Sequence, residues 1–175
     1  EVSIVRELVR QIPTEHALFV GNSLPIREVD MLSANRNIPL RVAANRGASG
    51  IDGQIATACG WAMGHRQPTT ILLGDLSAMH DLNSLLLIRE SQVPMTLIIL
   101  NNDGGGIFSM LPISNQKDVF EGFFGTPHGC EFLKVAAMFD LPYFQPKNLK
   151  QLQKSFQEAW HSDKSSLIEV KTDRE

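Results

Sequence analysis

Cysteine is almost missing from this chain: Cys59 and Cys130 are the only two in 175 residues. One thiol in an apolar helical pattern and one near a helix start make neither a disulfide framework nor a zinc site. Idle thiols in a reducing cytoplasm are the expectation. Long apolar runs are lacking too. No stretch approaches the roughly 20 residues that cross a bilayer as a helix, and no amino-terminal targeting pattern is visible. Nor does one sign of charge dominate. Sixteen Lys and Arg stand against 19 Asp and Glu, a net charge of −3 without the basic stripe of a nucleic-acid binder. Nucleic acid and membrane are set aside as partners on these grounds. The chain opens on Glu1 rather than Met, so trimming or cleavage from a longer polypeptide is expected.

What is present suffices for one ordinary domain over residues 1–175. A hydrophobic fraction of 43% at this length supports a real core. Helical and strand patterns alternate without repeats, low-complexity tracts or an internal linker. An amphipathic helix is predicted from Val2 to Ile12, stopped by Pro13, then a strand from Ala17 to Gly21 and a helix from Pro25 to Leu32. A second strand, Leu40 to Ala43, leads through the loop Asn45 to Gly50 into an Ala-rich helix from Asp52 to Met63. After the central strand pair described next, Pro112 to Gly129 reads as a long loop. A helix from Glu131 to Phe139, a short strand from Pro142 to Phe144, a helix from Leu149 to Trp160 and a strand from Ser166 to Lys171 complete the chain. This alternation predicts an α/β fold, a doubly wound and mostly parallel sheet with helices on both faces.

The central pair carries the most information. Thr70-Ile71-Leu72-Leu73 and Met95-Thr96-Leu97-Ile98-Ile99-Leu100 are short apolar runs of the kind buried on both faces of a sheet. Between them Leu82, Leu85, Leu86 and Arg89 fall on helical spacing, and Val93-Pro94 stops that helix. A right-handed crossover then lays the strands parallel, so Asp75 and Asn102 emerge together at their carboxyl ends, where open α/β sheets place ligands. One charged and one neutral oxygen donor suit a hard cation such as Mg²⁺. Gly104-Gly105-Gly106 would let the backbone approach a ligand there. Taken alone, Asp75 could equally be a helix cap, and Asp103 reads as a turn residue.

These residues resemble a known family. Gly74-Asp75-Leu76, the 24 residues from Ser77 to Leu100, and Asn101-Asn102 resemble the signature of thiamine diphosphate enzymes. Three further stretches narrow the likeness: Asn22-Ser23-Leu24-Pro25-Ile26-Arg27, Asn45-Arg46-Gly47-Ala48-Ser49-Gly50-Ile51-Asp52-Gly53 and Gly105-Gly106-Ile107-Phe108-Ser109-Met110-Leu111-Pro112. They are similar to the family of menaquinone biosynthesis that makes 2-succinyl-5-enolpyruvyl-6-hydroxy-3-cyclohexene-1-carboxylate, over roughly Phe19 to Trp160. Leu76 stands where many thiamine enzymes have a second glycine, a departure that family shares.

The resemblance implies the carboxyl-terminal diphosphate-binding domain of a longer transferase, in a thiamine diphosphate-binding fold, here without pyrimidine-binding and central domains. It implies Mg²⁺ or Mn²⁺ held by side-chain oxygens of Asp75 and Asn102 and the carbonyl of Gly104, with thiamine diphosphate lying against Ile51, Gly74, Leu76, Ser77, Asn102, Gly104 and Gly105. Ile51 would prop the cofactor in its bent form, although an Ile is more often plain core. Ser77 could take phosphate or cap the helix. Arg27, Arg46, Ser23, Ile107 and Phe108 become candidates for binding 2-oxoglutarate and isochorismate. Without the likeness the arginines would be ordinary surface charges, Asn22 and Ser23 caps, and Ile107 and Phe108 helix packing. The implied reaction is decarboxylation of 2-oxoglutarate on the cofactor and conjugate addition of the succinyl unit to isochorismate. No catalytic residue is expected in this chain, because the activating glutamate belongs to the pyrimidine-binding domain of a second subunit. The whole protein is expected to be a cytoplasmic homodimer or tetramer, and the fragment alone inactive. His80, His128 and the other histidines show no partner spacing for a metal or a triad. Three alternatives stay open: the separate diphosphate-binding subunit of another thiamine diphosphate decarboxylase, a non-catalytic nucleotide- or flavin-binding module, and a self-associating structural domain. Gly21-Asn22-Ser23 lacks the glycine fingerprint that the module would need.

Overall fold

A computed structural model describes residues 1–33 and 39–174. Six strands form one sheet: β1 (Ala17–Val20), β2 (Arg41–Ala43), β3 (Thr69–Gly74), β4 (Met95–Asn101), β5 (Tyr143–Phe144) and β6 (Ser166–Lys171). Every pairing is parallel, in the order β2-β1-β3-β4-β6-β5. The chain steps from β1 outward to β2, then returns past β1 to β3. The order therefore reverses between β1 and β3, and the loops leaving their carboxyl ends diverge to open a crevice.

Strand alternation divides the core into two layers. Leu18, Val20, Leu72, Ile98, Leu100 and Ile168 face α1 (Val2–Gln11), α2 (Leu24–Leu32) and α8 (Leu149–Trp160). Phe19, Ile71, Leu73, Leu97, Ile99 and Leu167 face α3 (Gln54–His65), α4 (Asp75–Met79), α5 (Leu85–Glu90) and α7 (Leu133–Met138). Apolar residues on both faces explain why β3 and β4 read as continuous hydrophobic runs. In α1, Val5, Leu8 and Val9, with Ile12 at the C-cap, make the buried stripe, and Pro13 follows where the helix stops. Asn148 starts α8 by accepting the Gln151 amide at 3.0 Å.

Three expectations need correction. The helix between β3 and β4 is broken into α4, a 3₁₀ turn at Leu82–Ser84 and α5, and Leu86 is exposed while Leu85 and Ile88 are buried. Asp81 explains the break. Its buried carboxylate accepts the Ser84 hydroxyl at 2.5 Å and the Ala56 amide at 2.9 Å, so the chain turns there to cap α3 from outside. Helix α3 itself begins at Gln54 rather than Asp52, since Gly53 takes a left-handed conformation with φ +62°. The supposed loop from Pro112 to Gly129 is largely a chain of short helical turns, at Pro112–Asn115, α6 (Lys117–Phe120) and a π turn at Glu121–Gly125, preceded by a 3₁₀ turn at Gly106–Met110.

A polar knot fixes the far side of β4. Glu169, fully buried on β6, accepts from Asn101 Nδ2 at 2.6 Å, the Phe132 amide at 3.1 Å and the Tyr143 hydroxyl at 2.5 Å. Burial, and then the Glu169 carboxylate, push the Tyr143 hydroxyl well above the usual tyrosine range, which keeps it a donor. Each buried donor left without its acceptor costs roughly 1–3 kcal/mol. Glu169→Ala is therefore expected to lower unfolding free energy by about 3 kcal/mol or more in urea titration, and an unchanged midpoint would contradict the knot's role.

Candidate cofactor site

Strand register brings the two oxygen donors together. Gly74 pairs with Leu100, so Asp75 and Asn102 follow within a residue or two of paired positions. Both are buried, at 2% and 8% exposure. They line one cavity of about 120 Å³ at the crevice, together with Ser23, Ile51, Ser77 and Phe108. Gly74, Leu76, Gly104, Gly105 and Ile107 border the same space. Complete small-molecule sites run to roughly 300–1,000 Å³. The cavity is smaller than these.

Gly74 holds the N-cap position of α4, and the first residue of that helix is Asp75. Its Oδ1 accepts the Leu76 amide at 2.7 Å, while Oδ2 accepts the Gly104 amide at 2.9 Å and meets His128 Nε2 at 3.0 Å. Asn102 is oriented by Glu1, whose Oε1 accepts from Nδ2 at 2.8 Å. That contact leaves Asn102 Oδ1 buried with no hydrogen-bond partner among the described residues. An orphaned buried acceptor beside a carboxylate is costly unless something electropositive meets it. Among the described residues no three His, Cys, Asp or Glu side chains gather to hold a metal. A cation here would take its protein ligands from one carboxylate, one amide oxygen and backbone, a donor set suited to Mg²⁺ or Mn²⁺.

The glycines serve packing as well as access. Gly104 has φ +129°, and a Cβ there would run into the Gly125 carbonyl. At Gly105 it would strike the Phe124 carbonyl, and the Gly105 amide donates to Gly125 O at 2.7 Å. The π turn is thereby held against the site, with Phe108 and Phe124 edge to face at 5.5 Å. The Gly104 carbonyl, expected to face a cation, accepts the Gly106 amide at 3.0 Å and keeps a second lone pair.

Arg27 and Arg46 are exposed and do not line the cavity. Arg27 lies in α2 and Arg46 on the loop after β2, and both are tethered to the segment that follows β1. Arg27 donates to the Ser23 carbonyl at 2.5 Å, and Arg46 to Asn22 Oδ1 at 2.8 Å. Asn22 also donates to the Gly50 carbonyl at 2.6 Å, tying the Arg46 loop to the crevice. Ser23 occupies the N-cap position of α2 without a side-chain capping hydrogen bond, and it adopts φ +74°, a strained value for a side-chain-bearing residue. Asp103 is the turn residue expected, with φ +60° and Oδ1 accepting the amides of His128 and Gly129. His128 was not legible as a site residue. Its only signal was a place in the turn between Pro127 and Gly129.

Residues 29–170 match the family described as thiamine pyrophosphate enzyme, C-terminal TPP binding domain. The chain belongs to that family. A 2-succinyl-5-enolpyruvyl-6-hydroxy-3-cyclohexene-1-carboxylate synthase of Rubrobacter xylanophilus is 47% identical over 174 residues, 99% of this chain and 30% of that protein. The synthase of the same name from Chlorobium phaeobacteroides is 45% identical over 178 residues, covering all of this chain and 30% of that protein. A solved Mycobacterium smegmatis enzyme described as thiamin diphosphate-dependent superposes with a TM-score of 0.77 at 17% identity, over 98% of this chain and 31% of that one, which shows the shared fold. This chain spans about 30% of the length of the curated relatives it matches. The family match sets the thiamine reading above the nucleotide- or flavin-module alternative. No helix among the described residues is long and apolar enough to cross a membrane.

Two measurements follow from this geometry. Gly104→Ala combines a left-handed backbone with a backbone collision, so it should lower stability by about 2 kcal/mol or more, read as a lower thermal midpoint. Glu28, buried beside the Glu1 carboxylate, is pushed by burial and then by Glu1 from the ordinary 4.5 up to about 7. The folded chain then holds a proton that the unfolded chain releases between those values. Stability from this group is complete below about pH 4.5 and lost as pH rises through 7. Glu28→Gln should flatten that decline in melting temperature, and an unchanged pH profile would contradict it.

Proposed function

We propose that this chain is the cofactor-binding part of a menaquinone-pathway synthase in which Mg²⁺ or Mn²⁺ at Asp75 and Asn102 anchors thiamine diphosphate. The observation that carries the reading is the unpartnered, buried Oδ1 of Asn102 in one cavity with the Asp75 carboxylate. Gly104 would add its remaining carbonyl lone pair, and Ser77, Gly105, Gly74 and Leu76 would border the diphosphate. Ile51 would support the cofactor from the α3 side. When bound, thiamine diphosphate supplies an electron sink for loss of carbon dioxide from a 2-oxo acid.

The substrates proposed are 2-oxoglutarate and isochorismate, after the relatives' name and the family likeness. Both carry carboxylates. Arg27 and Arg46 are exposed cations held at the crevice margin by Ser23 and Asn22, and a guanidinium so held can grip a carboxylate through two parallel hydrogen bonds. Ile107 and Phe108 give the mouth an apolar wall that keeps water from the reacting centre. The small cavity supports a shared site, completed by a pyrimidine-binding domain from a second subunit of a cytoplasmic homo-oligomer. The chain alone is then expected to bind cofactor weakly and to release no carbon dioxide from 2-oxoglutarate.

Calorimetric titration of thiamine diphosphate, with and without Mg²⁺, tests this reading on the chain and on Asp75→Ala. Cation-dependent heat should appear for the unaltered chain and weaken at least tenfold in the variant, about 1.4 kcal/mol or more. Identical traces for the two proteins would overturn the assignment.

A further inference from the structure

Asp75 is held by a residue far away in sequence. His128, with 9% of its side chain exposed, sets Nε2 3.0 Å from Asp75 Oδ2. A second contact decides which ring nitrogen carries the hydrogen: the Cys130 amide donates to His128 Nδ1 at 2.9 Å. An N–H must meet a lone pair, so Nδ1 is the bare nitrogen and the hydrogen of the neutral ring sits on Nε2, directed at Asp75. Asp103 Oδ1 lies 3.6 Å from Nδ1, beyond hydrogen-bond reach, and acts on the backbone instead. It accepts the His128 amide at 3.0 Å and the Gly129 amide at 2.7 Å, which pins the turn.

Counting donors then distinguishes the two carboxylate oxygens. Oδ2 receives the Gly104 amide and the His128 ring, two donors for its two lone pairs. Among the described residues Oδ1 receives only the Leu76 amide and retains a lone pair. Neither ring nitrogen of His128 is free to bind a metal. We infer that His128 is a positioning residue, whose Nε2–H fixes Asp75 through Oδ2 so that Oδ1 is presented to the divalent cation. This deepens the proposed function and rests on it.

Two measurements on the 175-residue chain test the inference, with Mn²⁺ and thiamine diphosphate as the affinity probes. Long-range proton–nitrogen NMR of the chain without ligands should show one histidine locked as the Nε2–H tautomer, its signals absent from His128→Gln. Removing a hydrogen-bond partner of a metal ligand commonly costs about 10–100-fold in affinity, and His128→Ala should weaken Mn²⁺ binding in the presence of thiamine diphosphate by that factor. His128→Gln, whose amide can donate from nearly the same place, should stay close to the unaltered chain. That rescue separates hydrogen-bond donation from filling space, and melting curves confirm that each variant is folded. An Nδ1–H tautomer, equal affinity in the Ala variant, or a Gln variant as weak as Ala would each overturn the inference. If the unaltered chain shows no cation-dependent binding, the cofactor reading fails and the inference with it. If it binds and His128→Ala binds equally well, the inference fails alone.

Discussion

The parallel register between β3 and β4 is the constraint on which the site depends. Once Gly74 is paired with Leu100, the chain has no choice but to release Asp75 and Asn102 at one edge, between loops that part because the strand order reverses beside them. Two apolar layers hold that register from both faces, and a shift by one residue would turn every strand side chain into the wrong layer. Hydrophobic burial supplies the force, and the ends of the strands inherit the precision.

Polar contacts carry that precision into the crevice. Glu169 ties Asn101 to β6 and to the start of α7, while Glu1 turns the amide of Asn102 and the Gly104 amide meets Asp75. Each contact is buried or half-buried, where an unmet donor or acceptor costs far more than a hydrogen bond gains at the surface. Among the described residues Asn102 Oδ1 is left as a buried acceptor without a partner, and its residue lines the cavity.

Much of this was legible in the residues. The runs Thr70 to Leu73 and Met95 to Leu100 identify interior strands because both faces are covered, and the polar residues that end them identify the functional edge. Local pattern could not show that Asp81 would break the following helix to cap α3, since that bond joins residues 25 positions apart. The segment from Gly106 to Gly125 defeated periodicity for a related reason. Its 3₁₀ and π turns are shorter than any amphipathic repeat and are shaped by close contact with Gly104 and Gly105. His128 lies 53 residues from Asp75, and only the fold brings its ring to that carboxylate. Arg27 and Arg46 were found by likeness, and their anchoring through Ser23 and Asn22 needed the tertiary structure.

A cavity of about 120 Å³, bordered by glycines, two oxygen donors and an apolar mouth, has the chemical character of a cofactor-binding crevice. The match to a TPP binding domain, over a chain that spans about 30% of its relatives' length, agrees with that character. The central claim is that a divalent cation joins Asp75 and Asn102 to the diphosphate of the cofactor. Anomalous diffraction from crystals of the chain grown with Mn²⁺ and thiamine diphosphate tests it most directly. The account predicts one manganese peak within coordination distance of Asp75 Oδ1 and Asn102 Oδ1, next to diphosphate density; a peak elsewhere, or diphosphate bound away from that edge, would contradict it.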